Sequence, residues 1–277
     1  MTPKSILVLV DGGPLSESTL ETGLAVAGLF GAQVQALHVQ ADPATLVPIV
    51  GEGMSGAMVE QVMDAMSKAV DQRSERAKAA YEKIAARGGA KIAWRLESGP
   101  EPVVLAAAGR LSDLIVLGRP DKSMDGQTAA SLDAALFDTG RAVLVAPPAA
   151  TAPSLCRRVA LAWNGSAEAS RVVGMALPYL AKAEAVTILC APGTDKRAPA
   201  EALAGYLALH GIKANVESFE LHHHQSVGHA LLEHAQKASA DLLAMGAYGH
   251  SRLREMILGG ATRDVLAQAT IPVLMAH

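Results

Sequence analysis

Apolar residues in this chain fall into short continuous runs, and between the runs they recur at helical spacing. Ile6-Leu7-Val8-Leu9-Val10 is such a run and ends in Asp11-Gly12-Gly13, the pattern of a buried strand closed by a turn. Ser16 and Glu17 suit a helix start, and Leu20, Leu24 and Ala27 give the following helix an apolar stripe. Gln33 to Val39 reads as the next strand. After residue 155 the order returns: Val159 to Trp163 is a strand ending in Asn164-Gly165-Ser166. Val173, Ala176, Leu177 and Leu180 mark a helix, and Ala185 to Cys190 a second strand.

The later parts repeat as well. Leu96-Glu97-Ser98-Gly99-Pro100 opens an alanine-rich helix that ends near Arg110. Asp113-Leu114-Ile115-Val116-Leu117-Gly118 parallels Asp241-Leu242-Leu243-Ala244-Met245-Gly246, and Ala142 to Ala146 parallels Pro272 to Ala276. Two copies of a βαβαβαβαβ unit are the simplest reading, each with right-handed crossovers and a parallel sheet. The copies divide at Pro147-Pro148-Ala149-Ala150-Thr151-Ala152-Pro153, a proline-alanine linker, into domains 1–150 and 154–277.

Composition narrows the setting. The 277 residues are half hydrophobic but only 3% aromatic, so the core is aliphatic, as suits a parallel sheet covered by helices. A net charge of −3 gives no sign of a nucleic-acid partner or an anionic membrane surface. No uncharged apolar stretch reaches eighteen residues, so no transmembrane span is expected, and the N-terminus lacks a signal-peptide pattern. Cys156 and Cys190 form no framework and fit a reducing cytoplasm.

Candidate chemistry concentrates between Gly246 and Gly260. The strand Leu242–Met245 runs into Gly246-Ala247-Tyr248-Gly249, then nine residues, then Gly259-Gly260, where a helix over Ala261–Ala269 begins. Glycines before a helix N-terminus let backbone amides approach a bound phosphate at the carboxyl end of a strand. The plain alternative is tight packing of loop on sheet. The spacing Gly246, two residues, Gly249, nine residues, Gly259 resembles the nucleotide loop of the ATP-binding universal stress proteins. Met245, Leu258 and the closing Pro272-Val273-Leu274-Met275 resemble that family too. The likeness covers nearly the whole chain as a tandem and is strongest in the second half.

The resemblance implies two doubly wound, five-stranded α/β domains paired through their last strands within one chain, with homodimerisation left open. It also implies ATP, accompanied by Mg, as ligand of the second half. Its site would draw on Ala162, Trp163, Asn164 and Cys190 from the first strands, and on Met245, Gly246 and Gly249. His250, Ser251, Gly259, Gly260 and Ala261 would complete it. Two departures bear on this. Gly260 stands where the family's ATP binders usually carry Ser or Thr, and Asn164 where they usually carry Asp. Asn164 also suits a plain Asn-Gly turn, and Trp163 is as well suited to a core or interface as to a nucleotide wall. His250 and Ser251 are candidate phosphate donors, Ser251 equally a turn cap. Of Arg252, Arg254 and Arg263, at most one is expected near phosphate and the rest on a solvated face.

In the first half, Gly118 is followed by Arg119-Pro120-Asp121-Lys122, so the second loop glycine is missing and no triphosphate cradle is expected. That half carries instead an insertion, Ala41 to Arg87. It reads as a loop with Pro43, Pro48, Gly51, Gly53 and Gly56, then a helix marked by Val59, Val62, Met63, Met66, Val70, Ala77, Tyr81 and Ile84 and extending to Ala86. This methionine-bearing stripe is expected in the core rather than as a partner groove. His222, His223, His224, His229 and His234 lack a Cys or spaced carboxylate partner, so no metal site is expected, and His234 falls on an apolar stripe as a core histidine. The functional expectation is a cytoplasmic, stress-responsive regulator that binds ATP in its C-terminal half and acts on unknown protein partners. The alternatives are a nucleotide-free scaffold and a slow ATP-hydrolysing enzyme, the last weakened by the absence of an acidic pair for magnesium near the loop.

Overall fold

Each half begins with a strand that is apolar and buried beyond its first residue, because it is covered on both faces. These are β1 (Ser5–Leu9) and β6 (Arg158–Trp163). The structure is a computed structural model and describes residues 2–42, 56–88, 91–120, 127–149, 155–194, 198–248 and 260–277. The first half continues with α1 (Ser16–Phe30), β2 (Gln33–Gln40), α2 (Gly56–Ala85), β3 (Ile92–Ser98), α3 (Glu101–Gly109), β4 (Leu114–Gly118), α4 (Gln127–Asp138) and β5 (Ala142–Ala146). The second continues with α5 (Ala167–Leu180), β7 (Ala185–Cys190), α6 (Ala200–Leu209), β8 (Ala214–Ser218), α7 (Val227–Lys237), β9 (Leu242–Gly246), α8 (Gly260–Gln268) and β10 (Val273–Ala276).

The strands form one ten-stranded sheet in the order β3-β2-β1-β4-β5-β10-β9-β6-β7-β8. Each half is parallel and doubly wound. The halves join where β5 and β10 pair antiparallel, Val145 against Val273, Leu144 against Leu274 and Val143 against Met275. The two expected sheets are thus continuous. Both last strands are wholly buried apolar runs, and pairing them removes two open edges that would otherwise invite association. Alternation along the strands feeds two cores. Ile6, Val8, Leu114, Leu161 and Ala244 pack on the side of α1, α2, α5 and α6. Leu7, Ile115, Val143, Leu243 and Met275 pack on the side of α3, α4, α7 and α8.

The repeat is also kept in its polar fastenings. Asp113, just before β4, accepts the amides of Lys4 and Ser5 at 2.8 and 3.0 Å, and Asp241, just before β9, accepts those of Arg157 and Arg158 at 2.9 and 3.3 Å. Each carboxylate thereby ties the start of its half's first strand to the start of the strand beside it in the sheet.

Two expectations shift at their boundaries. Leu96, Glu97 and Ser98 end β3 rather than open α3, because the turn comes at Gly99-Pro100 and proline can start a helix but not continue a strand ladder. The insertion helix ends at Ala85. Its stripe reaches the core only in its second half: Ala77, Ala80 and Ile84 are buried and Tyr81 packs at 5.0 Å from Trp94, whereas Val59, Val62, Met63, Met66 and Val70 remain partly exposed, so the methionine-bearing part is not the core face expected. The residues Pro43, Pro48, Gly51 and Gly53 lie outside the described residues.

Candidate functional site

In a doubly wound sheet ligands bind outside the carboxyl ends of the strands, where the strand order reverses. Here that point falls between β1 and β4 in the first half and between β6 and β9 in the second. In the second, the register sets Leu161 beside Ala244, so Ala162 and Trp163 leave the sheet next to Met245 and Gly246, and Trp163 lies opposite Cys190. Ala162, Trp163, Cys190 and Met245 are buried, whereas Asn164 is exposed. Gly260 opens α8, is exposed, and has no atom of the described residues within 4 Å of where a Cβ would stand. Ala261 follows it, partly buried. Gly249, His250, Ser251, Arg252, Arg254 and Gly259 lie outside the described residues, as does Asp121.

Within this crevice several residues have local duties. The Asn164 Oδ1 accepts the Ser166 amide at 3.0 Å, the turn geometry of an Asn-Gly pair, and Asp11 does the same for Gly13 at 2.9 Å in the first half. Trp163 belongs to the core under α5 and α6, and its Nε1 donates to Ala198 O at 2.8 Å. A groove of about 310 Å³ runs beside it, lined by Ser170, Val173, Ala202, Leu203 and Tyr206. At Gly246 tight packing is evident. A Cβ there would stand 2.6 Å from the Ala169 amide nitrogen and 2.7 Å from the Glu168 carbonyl carbon, so the first turn of α5 itself presses on this glycine. Cys190 and Cys156 are buried, and burial pushes both thiols above their ordinary range, which makes them poor nucleophiles. Arg263 is mostly exposed and pairs with Asp264 at 3.7 Å, on a solvated face.

The first crevice is covered by α2. Arg73 Nε donates to Asp11 O, and Arg76 Nε donates to Gly12 O at 3.2 Å. The helix backbone abuts the β1–α1 turn so closely that a Cβ on Gly12 would lie 2.2 Å from Arg73 O. Gly12 also has φ +76°, which favours glycine on its own account. The Arg73 guanidinium lies 3.5 Å from Glu101 Oε2. Glu101 is 2% exposed; its Oε1 accepts the Ser131 hydroxyl at 2.7 Å, while Oε2 has no hydrogen-bond partner among the described residues. Burial raises its pKa, opposed by the Ser131 bond and the Arg73 charge. Close by, His38 is buried between Val10 O at 2.7 Å and Ser74 Oγ at 2.9 Å, and burial lowers its pKa, so the ring is neutral, Nδ1 donating and Nε2 accepting.

This cluster was not anticipated. Its one trace in the sequence is that Arg73 falls on the α2 stripe between Val70 and Ala77, a cation on an apolar face. Glu101 carried no signal, since an acid in a helix's first turn is ordinary.

The buried acid has a testable consequence. Because the folded pKa of Glu101 is raised above its unfolded value, the native state holds the extra proton as pH rises. Its ionisation therefore costs stability from the unfolded pKa upward, fully so above the folded pKa. Glu101→Gln removes the charge, and its amide can donate to Ser131 Oγ while its oxygen faces Arg73. We expect the variant to be more stable than wild type at neutral pH by about 1 kcal/mol, and the gap to close as pH falls through Glu101's titration. Urea unfolding at a series of pH values reads this; a gap that widens in acid contradicts it.

Of the five histidines, only His223 and His224 meet, their rings 3.9 Å apart. His222, His223 and His224 are exposed, and His229 Nδ1 meets Gln268 Oε1 at 3.0 Å. His234 is not the core residue expected. It lies at the margin of the α7 packing face, stacked 4.3 Å from Phe219 and 2.5 Å from Glu217 Oε1, because a carboxylate partner on β8 keeps it at the polar edge. Among the described residues no three His, Cys, Asp or Glu side chains could hold a metal ion, and no helix is long and apolar enough to cross a membrane. A cleft of about 490 Å³ between α7 and α8 is lined by residues preceding β9 and β10, such as Ala240 and Ile271, and so lies away from the carboxyl-end crevices.

Comparison with known proteins agrees with this architecture. The family model of the universal stress protein family matches residues 2–132 and again 156–277. The universal stress protein Slr1230 of Synechocystis sp. is 23% identical over 288 residues, spanning 98% of this chain and 99% of the relative. A universal stress protein structure from Archaeoglobus fulgidus superposes with a TM-score of 0.65 at 18% identity, covering 98% of this chain and 95% of the other. A putative universal stress protein from Pseudomonas aeruginosa gives 0.59 at 15% identity, with 99% and 93% covered. With two successive matches over most of its length, the chain belongs to the universal stress protein family as a tandem member.

Proposed function

We propose that this protein binds ATP, accompanied by magnesium, in the crevice of its C-terminal half only, and acts in the cytoplasm as a stress-responsive regulator through that occupancy. The observation that carries the reading is the asymmetry of the two crevices. The first is covered by α2, whose Arg73 and Arg76 are held by the turn carbonyls and whose backbone abuts Gly12, so there is no room for a phosphate. In the second, Asn164 is exposed at the mouth, and Gly260 begins α8 with no atom of the described residues within 4 Å of where its Cβ would stand; the N-terminal turn of a helix offers amides to an anion. Magnesium would neutralise phosphate charge there. Domains 1–150 and 154–277 are the units assigned to the covered and the nucleotide-binding crevice.

A nucleotide-free scaffold is the second reading. It is favoured by Asn164, whose side-chain oxygen is already engaged in its turn. Calorimetry separates the two. ATP is expected to bind wild type modestly. Gly260→Ser, which restores a hydroxyl where a Cβ meets nothing within 4 Å among the described residues, should tighten it by about 1 kcal/mol, roughly fivefold. No heat at millimolar ATP, together with no nucleotide released from the purified protein in mass spectrometry, would favour the scaffold.

A further inference from the structure

The second crevice lies beside the joint between the halves, and the residue that enters its loop is held from across that joint. Tyr248 follows β9 and comes just before Gly249. Its hydroxyl donates to Asp133 Oδ1 on α4 of the first half at 2.7 Å. Its ring packs 4.9 Å from that of Phe137, one turn further along α4. Phe137 also meets the His277 ring at 4.4 Å, and His277 Nδ1 donates to Ala247 O at 3.2 Å. Tyr248 is therefore tied in two ways: the backbone before it through Ala247 and His277, and its side chain through α4.

Tyr248 also has φ +61°, a left-handed conformation that a bulky L-residue seldom adopts. Such a conformation persists only where the surroundings over-determine it, and it clusters where chain direction matters to a site. The hydrogen bond and ring contacts from α4 supply that determination. Burial, then the bond to Asp133, pushes the phenol's pKa up, so it stays a protonated donor.

We infer that Asp133 and Phe137 of the first half fix Tyr248, at the end of β9 in the second crevice, in its left-handed conformation, and so couple ATP binding in the second half to the half that binds no nucleotide. Asp133 and Phe137 touch no nucleotide; they act through Tyr248 and are positioning residues. By linkage, bound nucleotide strengthens the hold of Tyr248 on α4 by the same factor as that hold favours nucleotide. This gives the covered first half a part in the regulation of the site, and it rests on the ATP reading above.

The test uses the full chain. ATP affinity is measured by calorimetry for wild type, Tyr248→Phe, Asp133→Asn, the double variant, and Asp138→Asn as a control for loss of an exposed α4 charge. Tyr248→Phe and Asp133→Asn should each weaken binding about fivefold, within the range of ordinary coupling, the double variant no more than either alone, and Asp138→Asn not at all. Single variants that bind like wild type, or effects that multiply in the double variant, overturn the inference. Hydrogen exchange of the Ala247 and Tyr248 amides is read in parallel without ligand and should speed up in Asp133→Asn. If wild type binds no ATP but exchange does speed up, the ATP reading fails and the strut stands. If exchange is unchanged in Asp133→Asn, the strut fails whatever ATP does.

Discussion

Gly246→Ala is expected to cost the protein about 3 kcal/mol of stability, the upper range for forcing an extra group into a packed interior. The cost arises because the atoms that a Cβ would meet are backbone. The Ala169 nitrogen at 2.6 Å and the Glu168 carbonyl carbon at 2.7 Å belong to the first turn of α5, which Ser166 caps by accepting the Ala169 amide. To make room, the helix must move as a body away from β9, and α5 also packs on β10 at the joint. The matching change in the first half, Gly118→Ala, meets the Thr19 hydroxyl at 3.1 Å and Leu15 Cβ at 3.3 Å, side-chain atoms that can yield by a few tenths of an ångström. That variant should lose only about 1 kcal/mol. Denaturant unfolding of the two variants side by side measures the difference. If Gly246 served only to admit a ligand, Gly246→Ala would unfold like wild type and merely bind ATP less well, and the packing argument would be wrong.

Gly249→Val should abolish ATP binding while the far-ultraviolet circular dichroism stays that of wild type. The reason lies in the sequence, since Gly249 is outside the described residues. A branched side chain at the second loop glycine keeps backbone amides from phosphate and penalises any positive φ there. Tyr248, just before it, already holds φ +61°, so the chain here does turn through the left-handed region. Asp121→Ala, in the matching place of the first half, should change ATP affinity little, because that crevice is closed by α2 whatever its loop carries. Calorimetry on both variants decides. Binding by Gly249→Val equal to wild type would sink the loop assignment, and a large change in Asp121→Ala would put nucleotide in the wrong half.

The two halves show why one motif reads so differently in sequence and in space. Gly118 and Gly246 both end a buried strand and both pack on the helix that follows the half's first strand. A glycine shared by a half that lacks the loop pattern and one that has it answers first to packing. Asn164 and Asp11 likewise share the job of closing a turn, so the Asp-to-Asn departure preserves the turn even where it alters what a ligand would meet. Trp163 packs in the core, where its indole nitrogen finds a carbonyl at Ala198, and it also lines the groove beside α5 and α6.

The sequence by itself determined the repeat, the strand-and-helix order, the fold class and the region of the candidate site. Continuous apolar runs at β1, β4, β5 and their counterparts can only be satisfied by burial on both faces, and the matching runs force matching topology. The glycine spacing at 246, 249 and 259 is likewise a local property of the chain. Only the tertiary structure decided what covers each crevice and what holds each loop. Arg73 meets Asp11 across 62 residues, Ser131 meets Glu101 across 30, and Asp133 meets Tyr248 across 115. Periodicity records which face of an element is buried but not which partner it is buried against. An arginine on a helix stripe and an aspartate on an exposed turn of α4 therefore acquire their roles only once the sheet has closed through β5 and β10 and brought the two halves into contact.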